Sequence, residues 1–188
     1  KKYKLLLINS GLLYRYCSKI IIENKPKKVI HFLRSKLNKI SYKKISKLKL
    51  HSEEISNHAA IIAKNKKVRS IVNNIQLKLI KKNKKICVEG RDIASNILSK
   101  KPKYDLAFYF KCNLTTASYR RWIDINKKVP LSEVRGSLRI RTRMDKNRKN
   151  SPLVKVKDAI LIRTDRLSKS QVLAKMSFYI DKIIQERN

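Results

Sequence analysis

The stretch that decides the fold class is KLLLINSG, residues 4–11. A short apolar run stopped at once by Asn9, Ser10 and Gly11 predicts a buried strand, residues 5–8, that leads through a loop into a helix. Further buried strands are predicted over residues 86–88, 106–110 and 159–162. Because helical segments separate these strands, the chain is predicted to be an α/β protein with a parallel sheet flanked by helices.

Capping residues and apolar spacing predict the helices. The first is expected to end near residue 23, and Ser168 with Gln171 forms a predicted capping box for the last one. The others are expected over residues 52–65, 67–82, 115–125 and 131–144, with the last one running to about residue 185. With 42% hydrophobic residues over 188 positions the chain can build a core, so we expect a single domain over residues 1–188.

The charge balance is unusual: 48 Lys and Arg residues against 13 Asp and Glu give a formal net charge of +35. A compact molecule with this charge repels itself unless a polyanion neutralises it, and nucleic acids are abundant polyanions. No apolar stretch approaches the roughly 20 residues of a membrane span, so none is expected. Cys17, Cys87 and Cys112 are isolated, so neither a disulfide framework nor a metal site is expected.

The most basic segment covers residues 25–51. Ile30, Leu33 and Leu37 recur there at helical spacing with Lys or Arg between them, and no acid occurs between Glu23 and the end of the segment. This pattern predicts a basic arm with an apolar stripe facing inward and a cationic face outward. If the polyanion is RNA, the expected contacts are Lys27, Lys28, Arg34, Lys36, Lys39, Lys43, Lys44, Lys47 and Lys49.

Four short clusters contain polar residues that packing does not require. SGLLYR at 10–15 and EGRD at 89–92 follow predicted strands, and open α/β sheets bind ligands at the carboxyl ends of their strands. Arg69 lies within a predicted helix, and RTRMDKNR at 141–148 is rich in Arg. Taken separately, such clusters are usually ion pairs or solvated faces.

Taken in order, the clusters resemble those of the bacterial-type cytidylate kinases, P-loop nucleoside monophosphate kinases that move the γ-phosphoryl group of ATP to CMP or dCMP. The similar stretches are NSGLLYR at 9–15, EEISNHA at 53–59, VEGRD at 88–92, the lid pattern of Arg, Asp, Asn-Arg and Pro-Leu at 141–153, and the closing strand and helix at 158–168. The resemblance implies a lid over residues 126–152 and a basic segment 25–51 that replaces part of the monophosphate-binding insert. The combination of clusters is specific, whereas no single cluster is.

The resemblance also implies a site for the acceptor phosphate. Because Arg supplies a planar bidentate fork, Arg15, Arg69 and Arg148 are the expected phosphate-binding groups. Ser10 would add a hydroxyl donor. In an active enzyme Arg141 and Arg148 would be lid arginines that stabilise charge on the transferred phosphoryl group.

For the nucleoside part of the acceptor, the resemblance implies three further side chains. Asp92 would accept a hydrogen bond from a base amino group, and Arg91 would orient it. Asp145 would hold the ribose hydroxyls. Two substitutions depart from the family pattern, because Asn9 replaces an Asp and Ala60 replaces a Ser.

The phosphate-cradling motif GxxxxGK[ST] does not occur in the 188 residues. In the family it follows a first strand that would lie upstream of residue 1, and that strand is central in the sheet. We therefore expect a strand from another segment or another chain to fill its place, because a buried open strand edge is costly. Without the motif, these residues lack a cradle for ATP and a good Mg²⁺ site.

Two functions follow, and the charge favours the first. The chain would be a degenerate cytidylate-kinase-like protein without cofactor or kinase activity, bound to rRNA and neighbouring proteins as a structural subunit of an organellar ribosome, most plausibly in the mitochondrial matrix. The alternative is an active kinase that uses ATP and Mg²⁺, with its P-loop segment outside these residues and a cytoplasmic location. Binding of CMP is compatible with either function.

Overall fold

A computed structural model describes residues 2–100 and 102–187. Its strands are β1 (Leu6–Asn9), β2 (Ile86–Glu89), β3 (Phe108–Lys111) and β4 (Ile160–Arg163). Its α-helices are α1 (Ser10–Asn24), α2 (Val29–Asn38), α3 (Tyr42–Ile45), α4 (Glu53–Ile62), α5 (Lys66–Lys82), α6 (Leu114–Asp124), α7 (Leu131–Asn147) and α8 (Lys169–Gln185). A π-helix covers Ile93–Ile97. Within these described ranges, no helix combines the length and apolar content needed to cross a bilayer.

Each strand pairs with one parallel neighbour in the described part of the chain. β1 pairs with β2 so that Leu6 lies opposite Ile86, and β3 pairs with β4 so that Phe108 lies opposite Ile160. Parallel strands with helices between them confirm the predicted α/β fold class. No pairing joins β2 to β3 among residues 2–100 and 102–187, and the strand expected between them stays a prediction.

The chain forms two compact units. Unit 1 holds the residues up to Ile93 together with Arg148–Ser151, and unit 2 holds Ala94–Asn147 and the residues from Pro152 onward. β1, β2 and α1 to α5 therefore belong to unit 1, while β3, β4 and α6 to α8 belong to unit 2. The single domain expected over residues 1–188 stays a prediction.

The core of unit 1 is built from α1, α2 and α5. Leu13 and Cys17 of α1 pack with Leu33 of α2 and Val72 of α5, and all four side chains are fully buried. Burying an aliphatic side chain of this size contributes about 1.5–3 kcal/mol. α1, which carries Ser10 and Arg15, and α5, which carries Arg69, are therefore fixed by apolar packing.

The basic segment of residues 25–51 is part of this core. Leu37, Ile45 and Leu50 are buried in it, and α2 and α3 contact α5 and α1 respectively. The Lys and Arg side chains of the segment are exposed. The expected apolar inner face and cationic outer face are both observed, on the short helices α2 and α3.

α1 begins at Ser10, directly after β1, so the loop predicted there is wrong. The Asn9 side chain caps the helix, because its Oδ1 accepts a hydrogen bond from the backbone N–H of Leu12 at 3.1 Å. A capping Asn satisfies one of the N–H groups that the first helical turn leaves free. The polar residues that suggested a loop are therefore the start of a helix.

In unit 2, α6 packs against α7, and α8 packs beside the β3–β4 sheet. The rings of Phe108 in β3 and Tyr179 in α8 meet edge-on with centres 6.2 Å apart. The predicted capping box is present: the Ser168 N–H donates to Gln171 Oε1 at 2.8 Å, and the Gln171 N–H donates to Ser168 Oγ at 3.2 Å. The predicted start of the last helix is thus confirmed.

Candidate functional site

The carboxyl ends of β1 and β2 lie side by side in unit 1. Asn9 is opposite Glu89 in the parallel register, and Asn9 Nδ2 donates to Glu89 Oε2 at 2.9 Å. Ser10 and Gly90 follow at the same edge, where parallel α/β sheets bind ligands. The structure therefore brings together the clusters at residues 10–15 and 89–92.

Asp92 is held between two arginines. Asp92 is 9% exposed and Arg69 only 4%. Arg69 Nη2 donates to Asp92 Oδ2, and Arg148 Nη2 lies 3.5 Å from Asp92 Oδ1. Arg69 Nη1 also donates to the Ala63 carbonyl at 3.2 Å, and Arg148 Nε donates to the Ser151 carbonyl. Removing one member of such a buried group leaves an uncompensated charge, so the three side chains act as one cluster.

Tyr14 lies against the cluster. The Arg69 guanidinium is over the Tyr14 ring, 6.0 Å from its centre. Burial raises the pKa of Tyr14 to about 12; the Arg69 charge opposes this rise and the Asp92 charge adds to it. The phenol is therefore neutral at physiological pH and carries a proton to donate. Sequence reasoning gave Tyr14 no role, although its spacing of one helical turn from Ser10 places both on one side of α1.

Ser10, expected to donate to a phosphate, donates instead to Gln76 Oε1 at 2.5 Å. Both residues are buried. Gln76 was missed by sequence reasoning, and the available signal was a polar residue within the apolar face of α5, about two turns after Arg69. Arg69 likewise directs its donors to Asp92 and Ala63 rather than to an open phosphate position.

Arg15 and Arg91 belong to the same edge and are less buried. A Cβ on Gly11 would lie 3.1 Å from Arg15 Nη1 and 3.1 Å from Asn9 Oδ1. The absence of a side chain at Gly11 thus leaves room for the Arg15 guanidinium beside the first turn of α1. Arg91 is exposed next to Gly90, at the end of β2.

Arg141 and Asp145 lie in unit 2, one turn apart on α7. Arg141 is exposed and Asp145 half-buried. The backbone carbonyl of Asp145 accepts from the Leu153 N–H at 2.8 Å, which ties the end of α7 to the following segment. The expected roles of the two side chains toward ribose and transferred phosphoryl group stay predictions, as does the lid over residues 126–152.

The cations of the basic segment are on the surface of unit 1. Lys36 Nζ lies 5.6 Å from the centre of the Phe32 ring. All of the predicted RNA contacts are exposed: Lys27, Lys28, Arg34, Lys36, Lys39, Lys43, Lys44, Lys47 and Lys49.

Comparison with known proteins finds similarity to cytidylate kinases along nearly the whole chain. The family model described as cytidylate kinase matches residues 1–182. A cytidylate kinase of Rickettsia akari (strain Hartford) is 31% identical over 183 residues, covering 96% of this chain and 82% of the relative. That of Mesomycoplasma hyopneumoniae (strain 7448) is 30% identical over 192 residues, covering 94% and 82%. A bifunctional pantoate ligase/cytidylate kinase of Prochlorococcus marinus (strain AS9601) is 32% identical over 206 residues, covering 99% of this chain and 40% of the relative.

These matches overturn the expectation of a degenerate, RNA-bound ribosomal subunit. That interpretation is wrong because the family match includes the basic segment of residues 25–51, which composition alone had assigned to RNA. The alternative, a cytidylate kinase, fits better. The expected location in an organelle stays a prediction.

Proposed function

Because the chain belongs to the cytidylate kinase family, we propose that it binds CMP or dCMP and presents the nucleotide phosphate to the γ-phosphoryl group of ATP. A phosphate oxygen of the acceptor bonds to the γ-phosphorus, the bond from that phosphorus to the β-phosphate oxygen breaks, and ADP leaves. The observation that carries the proposal is the buried cluster of Arg69, Asp92 and Arg148 near the carboxyl ends of two parallel strands.

In this proposal Asp92 recognises the base. A carboxylate offers about four lone-pair positions, and Arg69 and Arg148 contact one oxygen each. A carboxylate only accepts hydrogen bonds, so Asp92 is chemically suited to the exocyclic amino group of cytosine, which donates them. Uracil has a carbonyl at that place, and its oxygen would face the carboxylate lone pairs, so UMP should bind more weakly.

We assign the nucleotide phosphate to two arginines that follow the carboxyl ends of the strands. Arg15 beside Gly11 and the exposed Arg91 present guanidinium forks at the ends of β1 and β2. Arg69 is assigned a different task from the one the resemblance implied, because its donors hold Asp92. Ser10 is likewise a wall of the site rather than a phosphate donor.

The proposal concerns the acceptor side of the reaction. GxxxxGK[ST] does not occur in the 188 residues. Among residues 2–100 and 102–187, no group of three His, Cys, Asp or Glu side chains is placed to hold a cation. The proposal assigns the described residues a role toward the acceptor nucleotide only.

The proposal is tested by calorimetric titration of the chain with CMP, UMP and AMP. We expect CMP to bind more tightly than UMP or AMP. Asp92→Asn should weaken CMP binding at least about tenfold and reduce the preference over UMP, because it removes a charged acceptor. Since Asp92→Asn also leaves buried arginines less compensated, Arg15→Gln provides a second variant outside the buried cluster, and it should weaken binding of all three nucleotides.

The matched control is Asp158→Asn. Asp158 is an exposed carboxylate of unit 2 that pairs with Lys103 at 3.4 Å. This variant makes the same chemical change in the other unit and should bind CMP as the wild type does. Negligible or equal binding of the three nucleotides by the wild type would contradict the proposed function.

A further inference from the structure

Gln76 is a buried amide beside the candidate site. It is 1% exposed, and its neighbours one turn away on α5, Val72 and Ile80, are buried apolar residues. Burying a carboxamide costs free energy unless its polar atoms find partners. Gln76 Oε1 finds one in the Ser10 hydroxyl at 2.5 Å, although 66 positions separate the two residues in sequence. The bond therefore joins α5 to the start of α1.

This bond determines what Ser10 can do. A serine hydroxyl has a single proton, and that of Ser10 is donated to Gln76. Only lone pairs remain on Ser10 Oγ, and lone pairs do not stabilise a phosphate oxygen. These lone pairs can still accept a hydrogen bond from a donor group of the nucleotide, and the bond to Gln76 fixes where they lie.

The turn that leads to Asp92 packs on the same hydroxyl. A Cβ on Gly90 would lie 2.9 Å from Ser10 Oγ and 2.7 Å from Ile93 Cδ1, closer than such atoms approach in proteins. Residue 90 must therefore be glycine for the turn to lie this close. Ser10 Oγ is enclosed between α5 on one side and the turn before Asp92 on the other.

One helix holds both sides of this arrangement. Arg69 and Gln76 are about two turns apart on α5 and so share a face. Arg69 bonds to Asp92, and Gln76 bonds to Ser10. We propose that Gln76 is a positioning residue for the acceptor nucleotide: acting through Ser10, it fixes the start of α1, and with it Arg15, relative to Asp92. The inference rests on the proposed function, namely that this site binds CMP.

The test is a double-mutant cycle in CMP affinity, measured by calorimetry well below the unfolding temperature. Gln76→Met keeps the length of the side chain and removes the acceptor, and Ser10→Ala removes the donor. Each variant should weaken CMP binding about tenfold. The double variant should also lose about tenfold rather than a hundredfold, because both substitutions remove the same bond.

Ile80→Val is the matched control, a conservative core change on the same helix. It should lower the unfolding temperature and leave CMP affinity within about twofold of the wild type, as expected for a residue that only packs. If Gln76→Met does not fold, Ser10→Ala decides alone, and unchanged affinity overturns the proposal.

The outcomes separate the two proposals. A wild type that does not bind CMP overturns the proposed function and the positioning role with it. A wild type that binds CMP, together with single variants that bind it equally well, overturns the positioning role alone. An additive loss in the double variant overturns the action of Gln76 through Ser10.

Discussion

The neutral phenol of Tyr14 makes the stability of the protein sensitive to alkaline pH. Burial raises the Tyr14 pKa from 10.0 to about 12 in the folded state. As the pH rises, the unfolded chain loses the Tyr14 proton before the folded chain does. The contribution of the protonated phenol to the free energy of unfolding is therefore fully present below pH 10 and is lost as the pH rises toward 12. Each unit of difference between the folded and unfolded pKa corresponds to about 1.4 kcal/mol in the free energy of unfolding.

We therefore expect Tyr14→Phe to flatten the loss of stability between about pH 10 and 12. Urea unfolding followed by circular dichroism across this range measures the difference from the wild type. Tyr119→Phe, at a side chain that is 53% exposed, is the control. Identical slopes for wild type and Tyr14→Phe would contradict the expectation. Cys17, whose pKa burial also raises to about 12, is present in both proteins and cancels in the comparison.

The residue types of the site were predictable from sequence, but their partners were not. Arg69 and Asp92 were selected from the pattern, yet the bond between them depends on how a helix packs against a strand end. The same holds for Ser10, whose proton is taken by Gln76. A sequence shows which donors exist and not which are already used, and for this reason Arg69 and Ser10 were assigned to a phosphate.

At the scale of elements, two glycines differ in whether the structure has room for a side chain. A Cβ on Gly90 would meet Ile93 at 2.7 Å and Ser10 at 2.9 Å, whereas a Cβ on Gly136, within α7, would meet nothing within 4 Å. Gly90→Ala should therefore destabilise the protein by about 1–3 kcal/mol, since the β2 turn must move. Gly136→Ala should stabilise it by up to about 1 kcal/mol, because Ala has the higher helix propensity.

Both changes are measured by the same denaturant titration, and each variant serves as the other's control. Gly90→Ala should also weaken CMP binding, whereas Gly136→Ala should not change the pairing of Ser10 with Gln76. Equal effects of the two substitutions on stability would show that the close approach at Gly90 does not constrain the fold.

Elements with strong local signals were predicted well. The capping box of Ser168 and Gln171 marks the first residue of α8, and the apolar periodicity of α5 marks its buried face. Both signals are local in sequence, so they can be recognised without knowledge of tertiary contacts. Asn9 was misread because the same residue types favour loops and helix N-caps. The π-helix Ile93–Ile97 has no sequence pattern of its own, and it was not predicted.

For the molecule as a whole, the charge of +35 was a poor guide to function. Net charge governs solubility, long-range attraction and self-repulsion, but it does not specify a fold or a reaction. Arg69, Asp92 and Arg148, which the family pattern identified, are few among the charged residues and contribute little to the sum. The function therefore had to be taken from the site and not from the total charge.

Self-repulsion should make the protein more stable at higher ionic strength. Between about 0.1 M and 1 M salt the Debye length falls from about 10 Å to about 3 Å, so exposed cations of unit 1 repel each other less. We expect the unfolding temperature, measured by calorimetry, to rise with sodium chloride. Lys43→Gln combined with Lys44→Gln should raise it at low salt and make it less dependent on salt. A temperature that falls with added salt would contradict this.

The two-stranded sheets also affect how copies of the protein meet one another. In the described residues each strand has one paired strand neighbour, and backbone groups on its other side pair with a second chain wherever no further segment covers them. Lysines stand directly before β2, Lys111 ends β3 and Arg163 ends β4. Two molecules that approach edge to edge must bring these cations together. The resulting electrostatic repulsion opposes aggregation through intermolecular strand pairing.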